Sequence, residues 1–548
     1  MKNYLIKILN EAILKIGSTE NILITLESPR QIEHGDLATN IAMNLAKPLR
    51  KNPRAIAEEI LLNLNYDNSL ISSIEIAGAG FINFKFTDKF FQIKLSEIIA
   101  KGDEYGKSNI GNDMKTNVEY VSANPTGPLH TGHAIGAALG DTIANLLEWT
   151  GYKVTREYYF NNAGNQMRKL ALSVQAKYLE LLGLQFNWKE EYYQGEYIID
   201  IAKEFLKING DGFFEENEAN LDSFRFFAEK YNFDRIIETL KAFNVNHEVF
   251  YNEDTLYSEG KIKETIDDLT IIGMTYEKDG ALWLTFKEEG QNDRVIVKST
   301  GEPTYRLPDI AYHVEKFKRG YEYIIDVFGA DHIATAQDVK KAIKMLGYDD
   351  DKVKIVMNQM ATFIEGGEEV KFSKRSGKSL TLDTMIEEFT ADVVRYFFVM
   401  RGVNTHLTFD IDLAREQSDK NPLFYLQYAH ARVSSVLRHS DELDYKIDLK
   451  ADLSCLKEVE EIDLIKELII FPEIIQRASR ELEPQILSEH LRNIASSYHK
   501  FYRECRIIKS EENIRAARLL LCISTKIALS NGLKILGVSA PDSMYKNN

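Results

Sequence analysis

Apolar residues at helical spacing open the chain: Leu5, Ile6, Leu9, Ile13 and Leu14 share the period of one helix face. Helix formers dominate again from about Leu37 to Leu64, which predicts a second helical stretch. Ile74–Ile76 and Phe81–Phe86 then read as strands, with Gly78 and Gly80 supplying the turn between them. From about residue 115 strands alternate with helices. Asn117–Val121, Tyr152–Phe160, Tyr323–Phe328 and Val353–Met357 are predicted strands. Gly132–Trp149, followed by Gly151, and about Thr335–Leu346 are predicted helices. This alternation predicts a doubly wound parallel sheet. Residues from about 165 to 300 interrupt it; they are acidic and aromatic, helical in period to about Ile271, and read as an insertion. From about residue 386 almost every segment has helical period, with Leu423, Leu464, Leu491 and Leu520 on successive helices. An all-α bundle is predicted there.

The 548 residues exceed what one core can serve. The patterns divide them into a small α/β domain over 1–112, a parallel-sheet domain over 113–385 with its insertion, and a helical domain over 386–548. The composition, 44% hydrophobic and 27% charged, is that of an ordinary globular protein. Cys455, Cys505 and Cys522 stand apart with no Cys-x-x-Cys pair, so neither zinc nor a disulfide framework is expected, and a reducing, cytoplasmic setting is. The N-terminus has no long apolar core and no run of eighteen apolar residues exists, so neither a signal peptide nor a membrane span is expected. The net charge of −16 opposes non-specific nucleic-acid binding. Two local basic patches, Lys47/Arg50/Lys51/Arg54 and Lys500/Arg503/Arg506/Lys509, leave room for a specific RNA partner, although each is equally a solvated helix face.

Two short segments carry candidate chemistry. His130-Thr131-Gly132-His133 follows a proline-rich loop after the first sheet strand, at the strand ends where open α/β sheets bind ligands. The helix N-terminus there offers backbone N–H groups to phosphate, Gly132 leaves room for a nucleotide, and both imidazoles can donate to phosphate oxygens. A metal pair at i and i+3 is the alternative, but no third ligand lies at useful spacing, so no metal site is expected. The second segment, Lys371-Phe372-Ser373-Lys374-Arg375-Ser376-Gly377-Lys378, is densely cationic and follows a Gly366-Gly367 hairpin signal. It is not a P-loop, because Phe372 stands where that motif needs glycine. A charge run alone is usually solvated surface; paired with the histidines, its best use is to neutralise a leaving pyrophosphate.

The chain resembles the bacterial arginyl-tRNA synthetases nearly end to end. The likeness rests on Gly35–Asn40, Glu119–His133, Asn161–Gln166, Pro308–His313, Gly329–His332, Asn421–Arg432 and Leu536–Pro541, in that order. The resemblance implies a class I enzyme with a Rossmann-like catalytic domain. Its catalytic residues would be His130, His133, Lys371 and Lys374, and its ATP-binding residues Pro128, Leu129, Thr131, Gly132, Gly329, Asp331, Ser373 and Arg375. Arginine would be read by Glu119, Ser122, Ala123, Asn124, Tyr305, Asp309 and Gln337, and Asp309 suits the planar fork of a guanidinium. Lys47, Arg50 and Lys51, with Tyr428 and Arg432, would meet tRNA(Arg). ATP would be a substrate accompanied by Mg²⁺, and the enzyme would act as a monomer. Some relatives lack the second loop lysine and carry one just before the histidine motif; this chain has Gly127 there and keeps Lys374, while Phe372 replaces a more frequent methionine. The rival readings are a nucleotidyltransferase without an RNA partner and a non-catalytic tRNA-binding relative.

Overall fold

A computed structural model describes residues 2–17, 22–27, 29, 34–162, 164–186, 188–215, 217–286, 292–330, 333–370 and 380–544. By compactness the chain forms two units. One holds residues 1–105, 433–470 and 496–527; the other holds 106–432, 471–495 and 528–548.

The first unit contains a three-stranded antiparallel sheet in the order Leu37–Thr39, Phe81–Phe86, Ile71–Ala77. The helical stretch expected over Leu37–Leu64 is instead a short strand and two helices, Ile41–Leu49 and Pro53–Asn63. Arg50 turns left-handed after the first helix, and the Asn52 side chain accepts from Arg54 N to start the second, with Pro53 at its first position. Lys47, Arg50 and Lys51 are exposed, and Lys51 pairs with Glu59 at 2.7 Å.

The second unit is built on a five-stranded, all-parallel sheet. From edge to edge it runs Val353–Asn358, Tyr323–Gly329, Lys115–Glu119, Lys153–Phe160, Val249–Asn252. The strand earliest in the chain is therefore central, and the order reverses beside it, which makes the loop after Glu119 the topological switch point. The last of these strands lies within residues 165–300, so that stretch is not a single insertion. Helices Gly164–Leu181, Glu196–Asn209 and Glu218–Ala242 form one body, around Met167, Val174, Ile198, Phe205 and Phe224. Thr275–Lys278, Ala281–Leu284 and Arg294–Val297 form a separate antiparallel sheet. The region past residue 386 is not wholly helical either: Leu407–Asp410 pairs in parallel with Ala361–Glu365. Ala361–Glu365 also forms a hairpin with Glu368–Val370 across Gly366-Gly367, both at positive φ.

Arg395, fully buried, ties distant parts of this unit together. Its guanidinium donates to the Asp141 carboxylate at 2.6 Å, to the carbonyls of Phe243 at 3.0 Å and Asn244 at 3.2 Å, and to that of Leu536 at 3.4 Å. Gly537 sits at φ 71° directly against it; a Cβ there would lie 2.1 Å from the guanidinium. Only glycine fits that turn. No helix among the described residues is long and apolar enough to cross a membrane.

Candidate active site

The helix Thr131–Trp149 starts immediately after the switch-point loop, and His130 and His133 cap it. His130 Nδ1 accepts from Gly132 N at 3.1 Å, and His133 Nδ1 accepts from His130 N at 3.4 Å. The rings stack with centroids 3.8 Å apart. With both Nδ1 atoms accepting, each neutral imidazole carries its proton on Nε2, the tautomer that can donate to an anion. Thr131 and Gly132 form the first helical turn, Leu129 is buried beneath it, and Pro128 is half-buried.

The cationic segment Lys371–Ser379, including Lys371, Ser373, Lys374 and Arg375, lies outside the described residues, as does Asp331. Its flanks are described. The hairpin Ala361–Val370 leads into it. On its far side Leu382 N donates to Leu129 O at 2.8 Å, Thr131 Oγ1 donates to Leu380 O at 3.4 Å, and Thr381 bridges His130. Leu380–Leu382, directly after the segment, are thus hydrogen-bonded to the histidine motif.

The loop after the central strand is strained and tightly held. Val121 and Ser122 both have positive φ, 72° and 43°, a costly conformation for a β-branched residue. Ser122 Oγ donates to Glu119 Oε1 at 3.0 Å and accepts from Tyr159 N at 3.2 Å. Tyr158 Oη donates to Ala123 O at 2.7 Å, and Asn124 Oδ1 accepts from Asn161 N at 2.9 Å.

Beneath this loop Asp326, Glu119 and Glu157 stand in register on three neighbouring strands, all buried. One face of the helix Arg306–Lys318, with the following Arg319, neutralises them. Lys316, wholly buried, donates to Glu119 at 2.6 Å and Asp326 at 2.7 Å. Arg319 forks onto Glu157 at 2.6 and 2.7 Å, and Tyr312 Oη donates to the same carboxylate. His313 meets an acceptor at each ring nitrogen, Asp309 O at 2.7 Å and Asp326 Oδ2 at 2.9 Å, so it needs both protons to satisfy them. Burial opposes the charges of His313 and Asp326, yet their mutual attraction, aided at Asp326 by Lys316, raises the His313 pKa and holds the Asp326 carboxyl well below the usual range.

Asp309, in the first turn of that helix, is a carboxylate without such a directly bonded cation. Burial, opposed by His313 and reinforced by Glu119, Glu253 and Asp326, pushes its pKa up to about 7. A guanidinium pairs with the carboxylate form. Below about pH 7 the Asp309 carboxyl holds a proton and above it is ionised, so if Asp309 takes arginine, as the resemblance implies, binding below that pH must expel the proton. Arginine affinity is therefore expected to rise by up to about tenfold per pH unit below 7 and to level off above it. Calorimetry in buffers of different ionisation enthalpy should show proton release near pH 6.5; a flat affinity from pH 5.5 to 8 would contradict this.

Of the remaining residues predicted for the site, Gly329 ends its strand opposite Asn358. Tyr305, 85% exposed, precedes the Asp309 helix. Gln337 is exposed on the helix Ile333–Met345, whereas its neighbour Asp338 is buried between Arg294 and Arg306 at 2.9 and 2.8 Å. Tyr428 and Arg432 are neighbours on the helix Pro422–Glu442, with Arg432 Nη2 donating to Tyr428 Oη at 2.7 Å. Sequence reasoning missed Glu253, which is partly buried, accepts from Tyr159 Oη at 2.9 Å and contributes to the field at Asp309. It also missed Lys316 and His313 as buried cations. The match of Pro308–His313 to the family pattern was the one available pointer, and it stops short of Lys316.

A parallel sheet with a His-x-Gly-His helix start at its switch point, and residues flanking a cationic sequence bonded to it, is the framework of a class I aminoacyl-tRNA synthetase. Comparison with known proteins gives the particular member. Residues 3–86 match the family model of the arginyl-tRNA synthetase N-terminal domain, 94–397 that of the class I (R) tRNA synthetase catalytic domain, and 426–544 that of the DALR anticodon-binding domain. Arginine–tRNA ligases of Salinibacter ruber and Chlorobaculum tepidum are each 45% identical over 99% of this chain and 100% of their own length. The solved arginyl-tRNA synthetase of Thermus thermophilus shares the fold, with a TM-score of 0.76 at 21% identity over 99% of this chain and 100% of that one. The chain belongs to the arginyl-tRNA synthetase family, and its activity is the ATP-dependent ligation of arginine to tRNA.

Proposed function

We propose a division of labour within this reaction. A carboxylate oxygen of arginine attacks the α-phosphorus of ATP, the bond to the bridging oxygen breaks, and pyrophosphate leaves. A terminal ribose hydroxyl of tRNA(Arg) then attacks the carbonyl carbon of arginyl-adenylate and releases AMP. Neither step needs a protein nucleophile; positioning and charge stabilisation suffice. His130 and His133 donate from Nε2 to phosphate oxygens, and Lys371 and Lys374 neutralise the leaving pyrophosphate. Mg²⁺ enters with the nucleotide as part of the substrate. Pro128, Leu129, Thr131, Gly132, Gly329, Asp331, Ser373 and Arg375 line the nucleotide. Asp309 takes the guanidinium, Asn124 the α-amino and carboxylate end, and Glu119, Ser122, Ala123, Tyr305 and Gln337 complete the pocket.

The anchoring of Leu380–Leu382 on Leu129–Thr131 supports this reading, because these residues follow the cationic sequence directly along the chain. His130→Asn tests it. Asparagine keeps an acceptor for the helix cap but loses the Nε2 donor, so the arginine-dependent exchange of pyrophosphate into ATP, measured with tRNA(Arg) present, should slow about a hundredfold at unchanged thermal stability. Exchange at the wild-type rate would remove His130 from the chemistry.

The domains follow. Residues 386–548 take the anticodon stem-loop, a role supported by the description of the model matched over 426–544. Unpaired bases would stack on Tyr428, whose ring lies 4.5 Å from the Arg432 guanidinium. Residues 1–112, with Lys47, Arg50 and Lys51, take the outer corner of the tRNA, and 113–385 hold the catalytic centre. The enzyme acts as a cytoplasmic monomer; its three free thiols support the compartment.

A further inference from the structure

The three-helix body over residues 164–242 touches the reaction loop at three successive residues, with one side chain from each helix. Gln166, on the first helix, accepts from Asn124 Nδ2 at 3.0 Å. Asn232, on the third and only 2% exposed, donates from Nδ2 to Pro125 O at 3.0 Å. Tyr197, on the second, donates from Oη to Thr126 O at 2.9 Å. The Tyr197 ring also lies flat against the backbone of Gly127, where a Cβ would come within 2.9 Å of it. These residues lead directly into Pro128, Leu129 and His130.

Beyond the bonds that hold Ser122–Asn124 at its start and Leu129 at its end, the stretch Pro125–Pro128 between them has few bonds of its own. Pro125 and Pro128 carry no N–H. Among the described residues the local backbone supplies one bond, Thr126 N to Asn124 O at 2.7 Å. A buried amide such as that of Asn232 is costly unless paired, and the loop carbonyl is its partner. The helices that carry these side chains share one apolar core, so the three contacts come from a single packed body.

We propose that this three-helix body is a clamp on the reaction loop, and that Tyr197, Asn232 and Gln166 are positioning residues for adenylate formation. The inference rests on the roles assigned above to Asn124 and His130. The clamp holds Asn124, which meets arginine, and the start of the histidine motif, which meets ATP, at a fixed separation. Loosening it should misplace the two substrates relative to each other without removing any group that binds them. A misplacement of about 1 Å can cost about a hundredfold in rate.

The test compares Tyr197→Phe, Asn232→Leu and the double variant in pyrophosphate exchange with tRNA(Arg) present, alongside arginine affinity by calorimetry and thermal unfolding. Phenylalanine keeps the ring on Gly127 and drops only the donor; leucine keeps the branching of asparagine and removes its polar atoms. We expect kcat to fall about tenfold in Tyr197→Phe and about a hundredfold in the double variant, with arginine Kd within about twofold of wild type. A merely structural role would lower the unfolding temperature and leave kcat per folded enzyme unchanged; a folded double variant with kcat within about twofold of wild type overturns the clamp. Should the double variant not fold, Tyr197→Phe decides alone by the same criterion. His130→Asn measured in parallel separates the two readings: slow exchange there with unaffected clamp variants rejects the clamp only, and unaffected exchange in all of them rejects the site assignment as well.

Discussion

Replacing Lys374 with alanine is expected to lower kcat for arginyl-adenylate formation by about a hundred- to a thousandfold, while arginine affinity stays within about twofold. Negative charge builds on the leaving pyrophosphate as its bond to the α-phosphorus breaks. A preorganised cation there acts on the transition state more than on bound substrate, so its loss falls on kcat. One such donor is worth roughly 3–4 kcal/mol. Lys374 lies six residues before Leu380, whose carbonyl is bonded to Thr131, so even a fully extended chain keeps it within roughly 20 Å of the histidine motif. Gly127 offers no substitute cation upstream. Steady-state kinetics on the alanine variant decide the matter, and a kcat near wild type would exclude Lys374 from the chemistry.

Asp309→Asn should weaken arginine binding by about a hundredfold or more and leave ATP binding nearly unchanged. Removing one partner of a desolvated charge pair typically costs 2–5 kcal/mol. Lys316, His313 and Arg319 already balance Glu119, Asp326 and Glu157, which leaves Asp309, with the nearby Glu253, as the carboxylates open to a guanidinium. Asparagine does not titrate, so the same variant should also lose the rise in arginine affinity on approach to pH 7. The wild type should reject lysine and ornithine by roughly 10⁴ or more, because neither fills a site built for a planar fork. Calorimetry that returns wild-type arginine affinity for the variant would make Asp309 a structural residue.

The sheet was legible in the sequence because long strands and helices alternate in the order that a doubly wound fold requires. What was not legible is short or non-local. Val249–Asn252 is four residues long and lies inside a stretch of helical period. It becomes a strand by pairing with Glu157–Phe160, some ninety residues earlier. Leu407–Asp410 likewise exists through its partner Ala361–Ile364. The break at Arg50–Pro53 did carry a local signal, an asparagine cap before proline, which the abundance of helix formers around it obscured. The histidine motif could be read because its cap, glycine and helix are contiguous. Lys316 could not: it reads as an ordinary charge on an amphipathic helix, and its burial follows from Glu119, 197 residues away. Three-dimensional pairing also changes what a truncation at residue 420 would mean. It would remove Ser479, which meets Thr150, and Ile535, which meets Asn145, so lost charging would not isolate the anticodon contact.

The knot at Arg395 has a consequence for how the enzyme is made. A ribosome delivers the histidine motif early, at residue 130, and domains generally fold as they emerge. Yet Asp141, on the very helix that His130 caps, is paired to a buried arginine whose cage closes only with the carbonyl of Leu536 and the turn at Gly537. A buried charge depends on a full set of hydrogen-bond partners, and without Leu536 this one is incomplete. The catalytic unit of a nascent chain therefore lacks part of this cage until residues 536 and 537 have been made.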